Sequence, residues 1–393
     1  MIKLIKSTFY KEEETKEKLC DFIKSASQLS IGPNCEKFEE NFAKYQGRSY
    51  CVFFNSGSSA NLALIQSLLN LGHIKKDQYA GFSALTWATN PMPLIQLGLK
   101  AAPVDVELDT LNISSKTFRK TLRKVPIKML FLTNLLGFCS DIDKIKDICE
   151  KEKILLIEDN CESLGTVYKG IKLGNFGFAS TFSFFVGHHM STIEGGAVCT
   201  DSEELMVMLK LVRSHGWDRN LPPNKQIELR KKYKVDSTFY SRYTFYDLGY
   251  NLRPSEINGY IGNLQLNYID EVISKRESNF IRLASHIYKK TKRYYPIRYD
   301  HINVVSNFAF PIICKSKRIR DELIVKCELR IEIRPIVGGD MTRQPFFHKH
   351  MPEFTNVFPN SNAQIIDEQG LYFGNNPELT DEEISELIQV FAK

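Results

Sequence analysis

From about residue 50 to residue 200, short apolar runs alternate with helical patterns, and this alternation constrains the fold most. The runs Cys51–Phe54, Met129–Leu132 and Ile154–Ile157 predict buried strands, and Ser140 predicts the N-cap of a helix between the last two. Unbroken apolar strands joined through helices are typical of a mostly parallel sheet that helices cover on both faces. The sequence therefore predicts an α/β fold for this part of the chain.

After about residue 265 the pattern changes to a mixture of short strands and helices. Residues 308–313 and 330–334 predict strands that flank a helix, and the capping box Thr380–Glu383 predicts the start of the last helix. We therefore expect a large domain at 1–255 and a smaller α+β domain at 256–393, with the N-terminal segment able to pack on the small domain.

Composition and charge exclude several classes of protein. The hydrophobic share of 43% and the charged share of 25% are ordinary for a soluble globular protein, and the net charge of +6 forms no basic stripe that would predict nucleic-acid binding. We find no signal peptide and no run of about 20 apolar residues. Nine scattered cysteines without a CxxC motif suit reduced thiols. We expect a cytoplasmic protein with no membrane or nucleic-acid partner and no metal site.

The motif Asn55–Asn61 (NSGSSAN) joins the first predicted strand to a helix. Gly57 permits a tight turn, and the N–H groups at a helix N-terminus, with the hydroxyl of Ser58, can hold a phosphate. The same residues also form ordinary loops, so the motif alone leaves both interpretations open. Asp159 is the stronger signal, because a carboxylate at the C-terminal end of a parallel strand lies where such sheets bind ligands.

Two tryptophans and two arginines are further candidates for ligand binding. Trp87 and Trp217 lie in polar loops, where an indole can stack on a flat ligand, although core packing is the alternative for each. The guanidinium groups of Arg219 and Arg334 match the geometry of a phosphate, but surface arginines are common.

A central segment runs from Ser183 through an apolar stretch to His188 and His189, and then to Glu194-Gly195-Gly196. Alone, a pair of histidines among aromatic residues is more often core packing or a stray metal ligand than a catalytic base. The neighbouring motifs favour the catalytic interpretation.

Six motifs, which follow one another along the whole chain, together resemble the DegT/DnrJ/EryC1/StrS sugar aminotransferase superfamily. They are NSGSSAN, IEDNCESLG, STFSFFVGHHMSTIEGG, RSHGWDRNLP, LGYNLRPSEINGYIG and RIEIRPIVGG. The resemblance implies the aspartate aminotransferase (type I) fold of enzymes that use pyridoxal 5′-phosphate (PLP). It also implies a homodimer with active sites shared across the interface.

The position five residues after Ser183 separates this chain from most of the superfamily. The family has there the lysine that forms a Schiff base with PLP, whereas this chain has His188, which can move protons but cannot form that bond. The chain is most similar to the branch of 3-dehydratases acting on GDP-linked 4-keto-6-deoxy sugars, where histidine also replaces the lysine. That branch has serine where this chain has Gly187.

This similarity implies an enzyme dependent on PLP or pyridoxamine phosphate (PMP). It would remove the C3 hydroxyl of a nucleotide-linked 4-keto-6-deoxy sugar, hexose or heptose, with L-glutamate as amine donor, in the synthesis of 3,6-dideoxy sugars for surface polysaccharide. The residue roles carried over by the resemblance are His188 as the catalytic base; Gly57, Ser58, Trp87, Asp159, Glu162, Ser183 and, from the neighbouring subunit, Asn251 as cofactor ligands; and His215, Arg219 and Arg334 near the nucleotide sugar.

Three alternatives follow from the same resemblance. An iron–sulfur-dependent CDP-sugar 3-dehydratase has the same histidine but adds a cysteine cluster, and this sequence has no closely spaced cysteine group, so we expect no iron–sulfur cluster. A nucleotide-sugar aminotransferase or isomerase that uses the histidine unconventionally remains open. So does a non-catalytic homologue that only binds nucleotide sugar, although a decayed site has no reason to keep Trp87, Asp159 and His188 together.

Overall fold

The computed structural model describes residues 1–354 and 360–392. The strands in these ranges are β1 (Tyr50–Phe54), β2 (Tyr79–Ser83), β3 (Lys100–Val104), β4 (Ile127–Thr133), β5 (Leu155–Asp159), β6 (Val167–Tyr168), β7 (Ile171–Lys172), β8 (Ala179–Ser183), β9 (Gly196–Thr200), β10 (Tyr294–Tyr295), β11 (Ile302–Val304), β12 (Ala309–Cys314), β13 (Ile333–Arg334) and β14 (Gly370–Gly374).

The α-helices of the same ranges are α1 (Glu12–Ser25), α2 (Pro33–Gln46), α3 (Gly57–Asn70), α4 (Pro91–Gln96), α5 (Ser115–Leu122), α6 (Ile142–Glu152), α7 (Glu203–Arg213), α8 (Pro223–Lys232), α9 (Glu256–Leu266), α10 (Ile269–Ile287), α11 (Lys317–Cys327), α12 (Pro345–His350), α13 (Asn362–Gln369) and α14 (Asp381–Ala392). None of these helices has both the length and the apolar character that crossing a membrane requires.

The largest sheet has seven strands in the order β1-β9-β8-β5-β4-β2-β3. Strand β9 runs antiparallel to both of its neighbours, and the other neighbouring pairs are parallel. The predicted α/β fold with a mostly parallel sheet is confirmed. Because β2, β4, β5 and β8 point the same way, their C-terminal ends and the loops after them meet at one edge of the sheet.

A second sheet, of order β10-β12-β14-β13, is antiparallel throughout, and α11 and α13 pack against it. The N-terminal segment joins this part of the molecule, because the Ile2 N–H donates to the Arg330 carbonyl at 2.7 Å and the Glu332 N–H donates to the Ile2 carbonyl at 2.8 Å. Helix α9, just after the predicted boundary at 255/256, packs on α2. The division into domains stays a prediction.

Of two helix starts predicted from capping residues, that of α14 is confirmed and the cap predicted for α6 is wrong. Thr380 and Glu383 form the predicted capping box of α14, with hydrogen bonds of 2.8 and 3.2 Å. Helix α6, in contrast, has Asp141 rather than Ser140 at its N-cap, and the Asp141 carboxylate accepts hydrogen bonds from the backbone and hydroxyl of Ser115 instead. The strand predicted at 330–334 shrinks to β13, because Ile331 pairs with Ile2.

Candidate active site

A cleft of about 520 Å³ opens at the edge where the parallel strands end. Its wall comes from the loops after β2, β4, β5 and β8, from the first turn of α3, and from the N-terminal segment and the four-stranded sheet. The structure brings together here, among the predicted site residues, Gly57, Ser58, Trp87, Asp159, Glu162, Ser183, His188 and Arg334. In the described part of the chain no lysine lines this cleft.

Asp159, the last residue of β5, is buried and held by three donors. Its Oδ2 accepts hydrogen bonds from the side-chain amides of Asn61 at 3.1 Å and Asn90 at 2.7 Å, and its Oδ1 accepts one from the Cys161 N–H at 2.9 Å. These bonds fix one orientation of the carboxylate on the wall of the cleft. A carboxylate held in this way suits pairing with a cationic ring N–H of a bound ligand.

The neighbouring carboxylate, Glu158, has a structural role. Successive side chains of a strand point to opposite faces, so Glu158 turns away from Asp159. It accepts hydrogen bonds from the backbone N–H groups of Gly174, Phe176 and Gly177 at 2.7 to 2.8 Å. The alternation of the strand therefore separates one carboxylate that faces the cleft from one that holds a loop.

The first turn of α3 forms a seat for an anion. Ser56 caps the helix by accepting a hydrogen bond from the Ser59 N–H at 3.0 Å, and the N–H groups of the first turn have no partner within the helix. A Cβ on Gly57 would lie 2.7 Å from the Cβ of Ser183. Only glycine at this position lets the hydroxyl-bearing end of β8 lie so close to the helix start, which leaves the turn open to a phosphate.

Glu162 lines the cleft from the loop after β5, three residues beyond Asp159. Its Oε2 accepts a hydrogen bond from the Leu136 N–H at 2.9 Å. Burial raises the pKa of Glu162 to about 8, and the nearby charge of Asp159 acts in the same direction. At neutral pH the protonated side chain can therefore donate a hydrogen bond within the cleft.

The loop that carries His188 is anchored by an aromatic cluster below it. Phe184 is fully buried and packs edge-to-face on Phe38 and Phe42, with ring centroids 5.3 and 5.0 Å apart. The His188 N–H donates to the Phe185 carbonyl at 2.9 Å, which closes the turn after the strand. This packing places the histidine loop firmly at the rim of the cleft.

The imidazole of His188 is half-buried, and its Nδ1 is enclosed without a hydrogen-bond partner. Burial lowers the pKa of His188 to about 4, and the positive charge of Arg276 lowers it further. The ring is therefore neutral near pH 7 and free to accept a proton. His189 differs, because its Nε2 lies 3.1 Å from the Ser306 carbonyl oxygen and its ring does not line the cleft.

Trp87 has 55% of its surface exposed, and it lies on the wall of the cleft. The turn that holds it is fixed by the Thr86 hydroxyl, which donates to the side chain of Asn90 at 2.7 Å. An indole held on a fixed turn with one face uncovered is suited to stacking on a flat ring.

The structure does not bring His215, Arg219 or Asn251 into this cleft. Arg219 packs over the ring of Trp217, 4.3 Å from its centroid, and donates to the Arg242 carbonyl. Asn251 is exposed and accepts a hydrogen bond from Arg253 at 3.0 Å. Arg334 does line the cleft, where it pairs with Glu332 at 2.7 Å.

The structure also reveals cleft residues that the sequence did not single out. Asn90 lines the cleft, and Asn61 joins it in binding Asp159. Asn61 ends the NSGSSAN motif and Asn90 lies three residues after Trp87, and these positions were the available signal for them. No local pattern marks Leu4 or Ile5, which reach the cleft because the N-terminal segment pairs with Ile331, two residues before β13.

Comparisons with known proteins agree with this architecture. Residues 10–392 match the model of the DegT/DnrJ/EryC1/StrS aminotransferase family. GDP-4-keto-6-deoxy-D-mannose 3-dehydratase of Yersinia pseudotuberculosis is 35% identical over 380 residues, which cover 94% of each chain. The E. coli enzyme of that name, solved with bound hydrated PLP, superposes with a TM-score of 0.88 at 32% identity, over 100% of this chain and 99% of that one.

A second solved structure contains PLP joined to glutamate. It is a GDP-4-keto-6-deoxymannose-3-dehydratase with a trapped PLP–glutamate geminal diamine, with a TM-score of 0.87 and 31% identity over the whole of both chains. The match to the family model spans nearly all of this chain, and both solved structures superpose on the whole of it. The chain belongs to the DegT/DnrJ/EryC1/StrS aminotransferase family.

Proposed function

We propose that this protein is a PLP/PMP-dependent dehydratase that removes the C3 hydroxyl of a GDP-linked 4-keto-6-deoxy sugar. L-Glutamate serves as the amine donor. The reaction takes place in the cytoplasm, and its product is used to make a dideoxy sugar for surface polysaccharide. One observation carries the proposal: His188 stands on the cleft wall where the family has its lysine, and no lysine of the described residues lines that wall. The relative from Yersinia, matched along nearly its whole length, carries the name of this activity.

The residues of the cleft fit a pyridoxal cofactor. The N–H groups of Gly57 and Ser58 and the hydroxyl of Ser183 would hold its phosphate, because they surround the open first turn of α3. Trp87 would cover the ring, and Asp159 would face the ring nitrogen. When bound, the cofactor supplies an electron sink that lets a carbon–oxygen bond next to the reacting carbon break.

His188 acts as the proton carrier in this proposal. Its Nδ1 is enclosed, so Nε2 is the ring nitrogen left to act in the cleft. The neutral imidazole would accept at Nε2 a proton released by the bound cofactor and pass it to the C3 hydroxyl, which leaves as water. His188 cannot form an imine, and among the described residues no lysine lines the cleft, so no lysine amine there competes with the amine of the cofactor.

The overall reaction balances with glutamate as the source of two electrons. The substrate loses its C3 oxygen as water, the amine introduced by glutamate is released as ammonia, and glutamate leaves as 2-oxoglutarate. One 2-oxoglutarate and one ammonia should therefore form for each sugar that loses its oxygen.

We further propose a homodimer in which Asn251, His215 and Arg219 serve the cleft of the neighbouring subunit. They lie outside the cleft of their own chain, in a segment whose exposed aromatic residues include Tyr243 and Phe245. Contiguous exposed apolar surface of this kind is typical of an interface. Asn251 would reach the cofactor phosphate, and His215 and Arg219 would contact the nucleotide sugar that Arg334 contacts from its own side.

The proposal is tested by incubating the purified protein with PLP, L-glutamate and a panel of 4-keto-6-deoxy sugars linked to GDP, CDP or dTDP, with hexose and heptose forms. Mass spectrometry should find a GDP-sugar that has lost one oxygen, together with 2-oxoglutarate. A sugar that has gained an amine would identify an aminotransferase instead. Binding without turnover of any sugar would identify a non-catalytic homologue.

A further inference from the structure

Arg276, in the first half of α10, lies directly behind the loop that carries His188. Its guanidinium is buried, with only 5% of the residue exposed. Nη2 donates to the His188 carbonyl at 3.1 Å, and Nη1 donates to the Asn375 carbonyl at 2.7 Å. Within the described residues, no carboxylate forms an ion pair with this guanidinium, and burial lowers the pKa of Arg276 to about 9.

A buried cation without a counter-charge is costly to a fold, because desolvation opposes it and nothing offsets the loss. Lysine or arginine side chains are rarely buried unless they are paired or have a task. Arg276 donates to the carbonyl of His188, the proposed base, and to the carbonyl of Asn375, which follows β14. These two hydrogen bonds indicate that its task is to position the histidine loop.

The surroundings of Arg276 form a closed polar junction. The side-chain amide of Asn375 donates back to the Arg276 carbonyl at 2.8 Å and to Oδ1 of Asn307 at 2.8 Å. The junction therefore ties α10, the end of β14 and the histidine loop together. Three of these hydrogen bonds go to backbone carbonyls, so they fix the main chain of the three elements directly.

A small cavity of about 30 Å³ lies at the same junction, lined among others by His188, His189, Arg276 and Glu378. Nε of Arg276 and Nδ1 of both histidines are buried and have no protein partner. The cavity has room for a single water, which could serve these polar atoms. On the side away from the cleft, His188 therefore borders a small cavity lined by polar atoms.

We propose that Arg276 is the positioning residue for His188: it fixes the main chain of His188 from behind, and its buried charge lies on the side of the imidazole away from the cleft. The inference deepens the proposed function, because it rests on His188 as the base. Among the groups that face this imidazole, His189 is itself kept neutral by burial, and Glu378 lies across the small cavity. On the cleft side stand Asp159, Cys161, Glu162, Glu194, Tyr372 and Arg334, which is paired with Glu332. Besides burial, the charge that lowers the pKa of His188 is that of Arg276.

The test uses the full-length protein labelled on its histidine rings, with and without PLP, and follows the titration of each imidazole by NMR. Comparison with His188→Asn assigns the His188 signal. In the wild type, His188 should titrate well below 6.5. In Arg276→Met, which removes the charge, its pKa should rise while burial still keeps it below 6.5, whereas Arg276→Lys should keep it near the wild-type value. Arg282→Met, on the exposed side of the same helix, is the matched control and should leave the titration unchanged.

Turnover provides the second readout. A lysine cannot reach both carbonyls, so Arg276→Lys should fold and lower kcat at least tenfold while changing KM little. An unchanged His188 titration in a folded Arg276→Met variant would overturn the proposal. If that variant does not fold, a wild-type His188 that titrates near 6.5, or Arg276→Lys with wild-type kcat, would overturn it. Because the titration needs no sugar substrate, its outcome is independent of whether dehydration is the reaction.

Discussion

The Nδ2 atom of Asn90 lies 2.7 Å from Oδ2 of Asp159, and this hydrogen bond joins the loop after β2 to the end of β5. Asn61 donates to the same oxygen from α3. Three elements that are distant in sequence therefore converge on one carboxylate. Its orientation, which the proposed pairing with the cofactor ring nitrogen requires, is set before any ligand binds.

Replacing this carboxylate should damage both the fold and the chemistry. In Asp159→Asn the amide cannot accept from all three present donors, so one buried donor loses its partner, at a cost of about 1–3 kcal/mol. Affinity for PLP and turnover should fall together, as measured by absorbance titration and product formation. Asp77→Asn is the control, since Asp77 is exposed and has a positive φ that asparagine tolerates. Wild-type turnover in Asp159→Asn would contradict the assigned role.

Glu162 predicts a specific dependence of stability on pH. Its pKa is about 8 in the folded protein and near 4.5 when unfolded, so between these values the folded state binds more protons. Its contribution to stability therefore falls as pH rises from about 4.5 to 8, by at most about 1.4 kcal/mol per pH unit. Glu162→Gln does not titrate and can still accept from the Leu136 N–H.

Denaturant unfolding of both proteins at pH 5 and pH 9 checks this prediction. The Glu162→Gln variant should gain stability relative to the wild type as the pH is raised. A difference in unfolding free energy that is the same at both pH values would mean that Glu162 is ionised in the folded protein.

The bare backbone at Gly57 should be essential to the anion seat. A methyl group there would lie 2.7 Å from Cβ of Ser183, so Gly57→Ala must push β8 and α3 apart, at a cost of about 1–3 kcal/mol. Melting temperature and PLP affinity should both fall. Gly187→Ala is the matched control for stability, because its nearest neighbour is the movable ring of Phe185 at 3.3 Å. Equal melting temperatures for the two variants would contradict the argument.

The parts of the structure that were predictable from sequence are those fixed locally. Apolar runs predicted β4 and β5, two of the strands that end at the cleft, and the motif around Asp159 predicted its place at the end of β5, whereas β2 and β8 were not predicted. Ser140 was a wrong cap because a tertiary contact at Ser115 determines the role of Asp141. Local spacing contains no information about such distant contacts.

In the cleft, too, single residues were predictable from sequence, whereas the contacts between them were not. Gly57 and Ser183 were found separately, but their contact depends on the antiparallel β9 between β1 and β8. The N-terminal Ile5 reaches the cleft through pairing with residues more than 300 positions away, which no periodicity can reveal. Asn251 lies outside the cleft of its own chain, and its place in a dimer stays a prediction.

His188→Lys tests whether the missing lysine selects the reaction. The introduced amine should bond covalently to PLP, so that borohydride treatment and digestion yield a pyridoxyl-lysine that the wild type does not give. C3 deoxygenation should fall strongly, because the tethered amine competes with PMP. A variant that forms this bond and still removes the C3 hydroxyl at the wild-type rate would show that the tether does not decide the outcome.

The most direct measurement compares the wild type with His188→Asn under PLP, L-glutamate and the GDP-linked 4-keto-6-deoxy sugar that the wild type accepts. Asparagine fills similar space but cannot accept a proton as imidazole does. The account predicts that the variant binds PLP with unchanged affinity while the rate of C3 oxygen loss, followed by mass spectrometry, falls about 10²–10⁴-fold. A rate within a few-fold of the wild type would contradict the account, because the proton would then be carried by a group other than His188.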